Sequence, residues 1–130
     1  LARGKLAITN CVKCHTADNR PPKNKEVIIC RDQWLGRELD ALTACEVLMP
    51  LGKPALFGVI GTGLKPPTGV EPWYTRVEFG ERTLLVVPLP HPAWILRAPG
   101  MRGDLQGRFL PAIVEILARE APEAYARSKG

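Results

Sequence analysis

Four cysteines stand within the first 45 residues of this 130-residue chain: Cys11 and Cys14 as a C-x2-C pair, then Cys30 and Cys45 singly. Thiolates so spaced can ligate zinc or an iron-sulfur centre, but the strong zinc pattern has two such pairs and this chain has one. Cys11 and Cys45 read more simply as small buried apolar residues, one on a strand and one near a helix end. Cys14 and Cys30 differ, because both flank a polar loop that can bring them together. A second candidate is His91, held between Pro90 and Pro92 after the most apolar run of the chain. A histidine so confined at a strand's end is rigidly aimed, which suits a proton donor. Gly52-Lys53 before a helical pattern hints at a phosphate loop, yet the upstream glycine is absent and Pro54 stands where a Ser or Thr would bind magnesium. Lys53 at a helix start remains a candidate for a phosphate contact. Asp18, Asp32 and Asp104 lie near loops without a physical reason to act as acids, and Glu78 and Glu81 read as solvated charges.

The elements that must position these residues follow from period and punctuation. Lys5 to Val12, with β-branched Ile8, Thr9 and Val12, predicts a strand, and the polar, proline-bearing stretch from His15 to Lys25 predicts a loop. Leu35, Leu39 and Leu42 predict an amphipathic helix from Arg31 with Asp32 as its cap. Val47 to Leu51 reads as a short strand, and Gly52-Lys53-Pro54 opens a helix that ends at Gly61. Thr62 to Pro72 reads as loop. Thr75 to Phe79 and Arg82 to Leu89 flank Gly80-Glu81 as a hairpin whose second arm is the more buried. Leu105, Phe109, Ile113, Ile116 and Leu117 predict a helical face, with Pro111 in its first turn or kinking it, closed by Pro122 before a frayed tail. Strands alternating with helices imply an α/β fold, a three-layer α/β/α arrangement with a mostly parallel sheet. Ligands of such sheets bind beyond the strands' carboxyl ends, here Thr9-Asn10, Gly52-Lys53 and Pro90-His91-Pro92.

Composition bounds the reading. Hydrophobic residues at 45% and charged residues at 24% describe one globular domain over residues 1–130 and argue against disorder or fibrous repeats. The net charge of +5 biases the surface towards polyanions. Pro88, Pro90 and Pro92 interrupt the run from Leu84 to Leu96, so nothing is clean enough to span a bilayer, and a soluble protein is expected. The chain opens at Leu1-Ala2-Arg3-Gly4, with neither an initiator Met nor a signal-peptide pattern, and reads like one entered midway.

Five pieces in order, Ile8-Thr9-Asn10-Cys11-Val12-Lys13-Cys14, Asn19-Arg20-Pro21-Pro22, Cys30, Leu51-Gly52-Lys53-Pro54-Ala55 and His91-Pro92-Ala93-Trp94-Ile95-Leu96-Arg97, resemble the uracil-DNA glycosylase superfamily, and within it the iron-sulfur family 4. The resemblance implies an enzyme that flips uracil out of DNA and hydrolyses its N-glycosidic bond. It implies that Asn10 reads the base, that His91 stabilises the anion developing on it, and that Pro92 to Arg97 forms a loop entering the minor groove. There Pro92 and Ala93 would meet DNA, Trp94, Ile95 or Leu96 would be the wedge, and Arg97, with Lys53, would sit near phosphates. Cys14 and Cys30 would be two of the four ligands of a 4Fe-4S cluster. A monomer acting on uracil-containing DNA in the cytoplasm, with no membrane partner, is expected.

The departures are equally specific. The family's upstream cysteine pair and the acid-containing loop that positions water are not in this sequence, nor is the first strand of its four-stranded sheet. A C-terminal part of a longer chain is therefore expected. Ala93 stands where a serine is common, which removes one hydrogen bond to phosphate. Two other readings compete: a DNA-binding module of the same fold without catalysis, and a small cysteine-metal protein.

Overall fold

The structure, a computed structural model, describes residues 6–61, 71–98 and 100–129. At its centre lies a three-stranded sheet of β1 (Val47–Leu48), β2 (Thr75–Phe79) and β3 (Arg82–Val86), in the order β1-β3-β2. β1 runs parallel to β3, with Val47 opposite Leu85 and Leu48 opposite Val86, and the pairing resumes at a parallel bridge between Leu51 and Leu89. β2 is antiparallel to β3, from Thr75 opposite Val86 to Phe79 opposite Arg82. The sheet is thus mixed rather than mostly parallel, because the turn at Gly80-Glu81 is too short to join parallel strands. Gly80 takes φ 60°, as such a turn requires.

Alternation along β3 builds the layers. Leu84 packs with Leu35 and Leu39 on one face, joined by Leu48 and Phe79. Leu85 and the following Val87 pack on the other with Phe109, Ile113, Ile116 and Leu117. Helices therefore cover both faces, as the three-layer α/β/α expectation required.

The first face is covered by one helical run from residue 24 to 41, made of α1 (Asn24–Cys30), a π-helical turn (Arg31–Leu35) and α2 (Gly36–Ala41). It starts seven residues before Arg31, so Asp32 lies inside the run and caps nothing. The π turn explains the missed start. An unbroken α-helix would carry the buried stripe of Val27 and Cys30 on to residue 34, but the extra residue moves it to Leu35, leaving Trp34 49% exposed and Leu35 at 5%. Arg82 of β3 closes this run, its guanidinium donating to the carbonyls of Leu39, Leu42, Thr43 and Cys45.

α3 (Lys53–Ile60) and the hairpin lie where the sequence predicts them. Beyond β3 come α4 (Pro92–Arg97), α5 (Met101–Asp104), a π turn (Leu105–Phe109), α6 (Leu110–Glu120) and α7 (Pro122–Lys129). Pro111 sits in the first turn of α6, where its missing N–H costs little. Pro122 does not end the structure in a frayed tail but opens α7, which Arg127 ties to Glu46 just before β1.

The expected strand from Lys5 to Val12 is not a strand over its described residues 6–12. Thr9 and Val12 favour extended backbone, but a strand needs a neighbouring ladder, and this segment is held through side chains instead. Lys13 pairs with Glu38 of α2 at 2.8 Å, Thr9 donates to the same carboxylate, and Cys11 packs on α3. Residues 62–70 of the expected Thr62 to Pro72 loop lie outside the described residues.

Candidate active site and thiol hollow

The parallel ladder delivers two chain segments side by side. Leu89 N–H donates to the Pro50 carbonyl at 2.9 Å and Gly52 N–H donates to the Leu89 carbonyl at 3.1 Å, so the exits of β1 and β3 are stitched together just before Gly52 and His91. Gly52 has φ 84° and ψ 175°, a conformation open in practice to glycine alone. A Cβ at Gly52 would stand 3.2 Å from His91 Cβ and 3.6 Å from its Cδ2. His91 therefore lies against a chain that carries no side chain at the point of contact.

Its own backbone is extended, φ −66° and ψ 135°, and it caps α4. The Ala93 N–H donates to His91 Nδ1 at 3.1 Å. A ring nitrogen that accepts a hydrogen bond is unprotonated, so the ring proton is on Nε2, which is left to donate outward. The imidazole is exposed. Pro90 and Pro92 fix φ on either side of it.

Pro92 to Arg97 is a helix rather than a loop, because the His91 cap and Pro92 at its first position are helix-starting features. Leu96 is 70% exposed and Trp94 41%, and both Trp94 and half-buried Ile95 line a small hollow with Leu105 and Phe109. Arg97 is exposed and its Nε donates to the Ala93 carbonyl at 3.2 Å. Lys53, the first residue of α3, is exposed beside Gly52. His91, Pro92, Ala93, Trp94, Leu96, Arg97 and Lys53 thus belong to one end of the sheet.

Asn10 is carried on a different segment. The segment around it is fastened through Cys11, whose Cβ would be 3.1 Å from a Cβ on Gly58 of α3. Asn10 is exposed and its side chain has no hydrogen-bond partner among the described residues. Burial, the largest effect, raises the Cys11 thiol above its usual range. Glu38, which anchors the same segment, is held below the usual glutamate range, first by the Lys13 ammonium and then by the Thr9 hydroxyl.

Cys14 and Cys30 border the same hollow, of about 200 Å³, with Val12, Thr16, Glu26 and Ile29, Cys14 being exposed and Cys30 buried. Two thiols on a mostly apolar hollow fit half of a cluster site. Among the described residues no group of three or more His, Cys, Asp or Glu side chains is arranged to hold a metal ion. Cys45 is turned elsewhere, its thiol on the Val47 carbonyl at 3.4 Å.

The family model described as the uracil DNA glycosylase superfamily matches residues 1–117. The chain belongs to that superfamily. Curated relatives point to one branch of it. The chain is 30% identical over 112 residues to a Type-4 uracil-DNA glycosylase of Sulfurisphaera tokodaii, covering 84% of this chain and 50% of the relative. With the Type-4 uracil-DNA glycosylase of Archaeoglobus fulgidus it shares 29% over 128 residues, 96% of this chain and 63% of the relative. With that of Saccharolobus solfataricus it shares 30% over 113 residues, 84% and 51%. The chain thus spans about half to two thirds of the length of these relatives. No solved structure matches it significantly.

Sequence reasoning missed two members of this superfamily member's site. Gly52 was named at a strand's carboxyl end and in a phosphate-loop comparison, but its place against His91 was not foreseen, though a glycine just before a Lys-Pro helix start already signals special backbone. Glu38 was not singled out, because nothing local marks it as the partner of Lys13 and Thr9.

Proposed function

We propose that the chain forms part of a glycosylase that removes uracil from DNA by hydrolysing the N-glycosidic bond, leaving an abasic site. The observation that carries this reading is the Ala93 N–H on His91 Nδ1, which leaves Nε2–H as a fixed donor at the carboxyl end of the sheet. Breaking the N-glycosidic bond sends an electron pair into the pyrimidine, and the negative charge collects on its carbonyl oxygens. A donor already aimed at such an oxygen stabilises the transition state more than the ground state. The target nucleotide must first leave the stack, since its glycosidic carbon is shielded in a duplex. Leu96 and Trp94, apolar and exposed on α4, are suited to fill the gap left behind. Asn10 offers an amide donor and acceptor to the Watson–Crick edge of uracil. Arg97 and Lys53 would meet phosphates, and DNA containing uracil is the partner.

Cys14 and Cys30 would supply two of the four thiolates of a 4Fe-4S cluster. Such a cluster would act as a cross-link between the Cys14 segment and α1. The residues proposed to touch the base and the phosphates are other residues of the chain.

The test is base release from a uracil-containing oligonucleotide, read as strand breakage after alkali. The full-length protein that carries this chain should release uracil, and His91→Ala in it should slow a single turnover by about 10²-fold. Equal rates for both would remove His91 from the chemistry. Salt-dependent DNA binding with no base release would select the non-catalytic binding module instead.

A further inference from the structure

α3 touches both segments that the proposed function assigns to the base, and at each contact it presents a glycine. Gly52, at its start, lies under His91, and Gly58, in its last turns, lies under Cys11, the residue after Asn10. A glycine inside a helix is unfavourable relative to alanine, so Gly58 calls for a packing reason. The reason is visible: a Cβ there would be 3.1 Å from Cys11 Cβ and 3.3 Å from Val27 Cγ1. By contrast, Gly36 in α2 has nothing within 4 Å of its would-be Cβ. The six residues from Gly52 to Gly58 advance about 9 Å along the helix axis.

We propose that α3 is a spacer that fixes the separation of His91 and Asn10, with Gly52 and Gly58 as positioning residues that seat the two segments. The proposal rests on the reading of His91 and Asn10 as the residues that meet the base. A helix is stiff over two turns, and this one makes a close contact with each of the two segments. A seat without a side chain lets each segment approach closely enough that van der Waals contact, and not loop flexibility, sets the distance. Base release needs donor and reader on one pyrimidine at once, and a displacement of about 1 Å can cost on the order of 10²-fold in rate.

Two seats give two independent tests on the purified protein. Gly58→Ala should slow single-turnover uracil release by about 10- to 100-fold while binding to uracil-free duplex stays within about twofold. Adding Cys11→Gly, which removes the nearer of the two side chains that an alanine would crowd and leaves Val27 in place, should recover a clear part of that loss. Gly36→Ala serves as the helix-glycine control. For the first seat, ring ¹⁵N shifts are diagnostic, because the chain has only two histidines, His15 and His91. Wild type should show an unprotonated Nδ1 and a protonated Nε2 at His91, and Gly52→Ala should collapse that difference towards averaged tautomers.

Uracil release by Gly58→Ala within twofold of wild type overturns the spacer, and so does a loss that Cys11→Gly leaves in place. An unchanged His91 ring spectrum in Gly52→Ala removes the first seat. A full-length wild-type protein that releases no uracil brings down the functional reading itself, while the ring spectrum still reports on the Gly52 seat.

Discussion

At the scale of single residues, the contrast between His91 and Asn10 is between a side chain fixed by its neighbours and one fixed by its segment. His91 has a proline on each side, a backbone N–H on Nδ1 and a glycine beneath it. The prolines were readable directly, whereas the cap went unread because Pro92 to Arg97 was expected as a loop and not as a helix. The glycine contact was not readable either, since it depends on a parallel bridge between Leu51 and Leu89, which lie 38 positions apart in the chain. Asn10 has no such support of its own, and its amide is unengaged among the described residues. Asn10→Ala should therefore cost catalysis and little stability: kcat/KM for uracil excision should fall by about 10²-fold, the loss of two hydrogen bonds at about 1.5 kcal/mol each. Unfolding curves of wild type and variant should superimpose. A fall of less than about threefold in kcat/KM would take Asn10 out of base reading.

At the scale of elements, what was legible depended on whether an element is specified by its own residues. α3 is bounded by Gly52, Lys53-Pro54 and Gly61, and the hairpin by Gly80-Glu81, and both lie where those residues put them. The start of the α1–α2 run was hidden by its π turn, which shifts the buried stripe by one residue and exposes Trp34. Arg82 was silent for another reason: a basic residue at the start of a strand does not reveal which helix carbonyls it will meet. Those carbonyls, on Leu39, Leu42, Thr43 and Cys45, lose their donor in Arg82→Ala. We expect a loss of about 1–3 kcal/mol in denaturant unfolding, with loss of helical signal at the end of α2 first. No measurable change in the unfolding midpoint would mean that water replaces the guanidinium without cost. The 9–13 segment carries a pH dependence. Glu38 is held ionised below the usual glutamate range by Lys13 and Thr9, so its tie is complete above that range and is lost as pH falls through the lowered value. Hydrogen exchange at residues 9–13 should then quicken on acidification relative to the β3 amides, after correction for the intrinsic rate, and Glu38→Gln should remove that transition.

At the scale of the whole molecule, the question is where a net charge of +5 resides. Much of the basic surface is already neutralised: Arg20 pairs with Glu26, Arg76 and Arg119 with Glu120, Arg108 with Glu71, Arg127 with Glu46 and Lys13 with Glu38. Lys53 and Arg97 have no carboxylate within ion-pair distance among the described residues, and both stand at the end of the sheet that carries His91. Leu96 and Trp94 of α4 are exposed at the same end. An exposed Leu and Trp next to unpaired cations suit a surface that meets base edges and phosphates together. The electrostatic part of that contact can be isolated. Each phosphate contact releases about 0.9 of a condensed counterion, so Lys53→Ala and Arg97→Ala should each flatten the slope of log K against log salt by about 0.9 on duplex DNA. The loss should be the same on uracil-containing and uracil-free duplex, because a phosphate contact carries no base information. Leu96→Ala should behave oppositely, leaving the salt slope unchanged and weakening only the complex in which a nucleotide has been flipped. Fluorescence anisotropy titrations at four or five salt concentrations separate the two patterns, and a slope in Arg97→Ala equal to that of wild type would exclude Arg97 from the phosphate contacts.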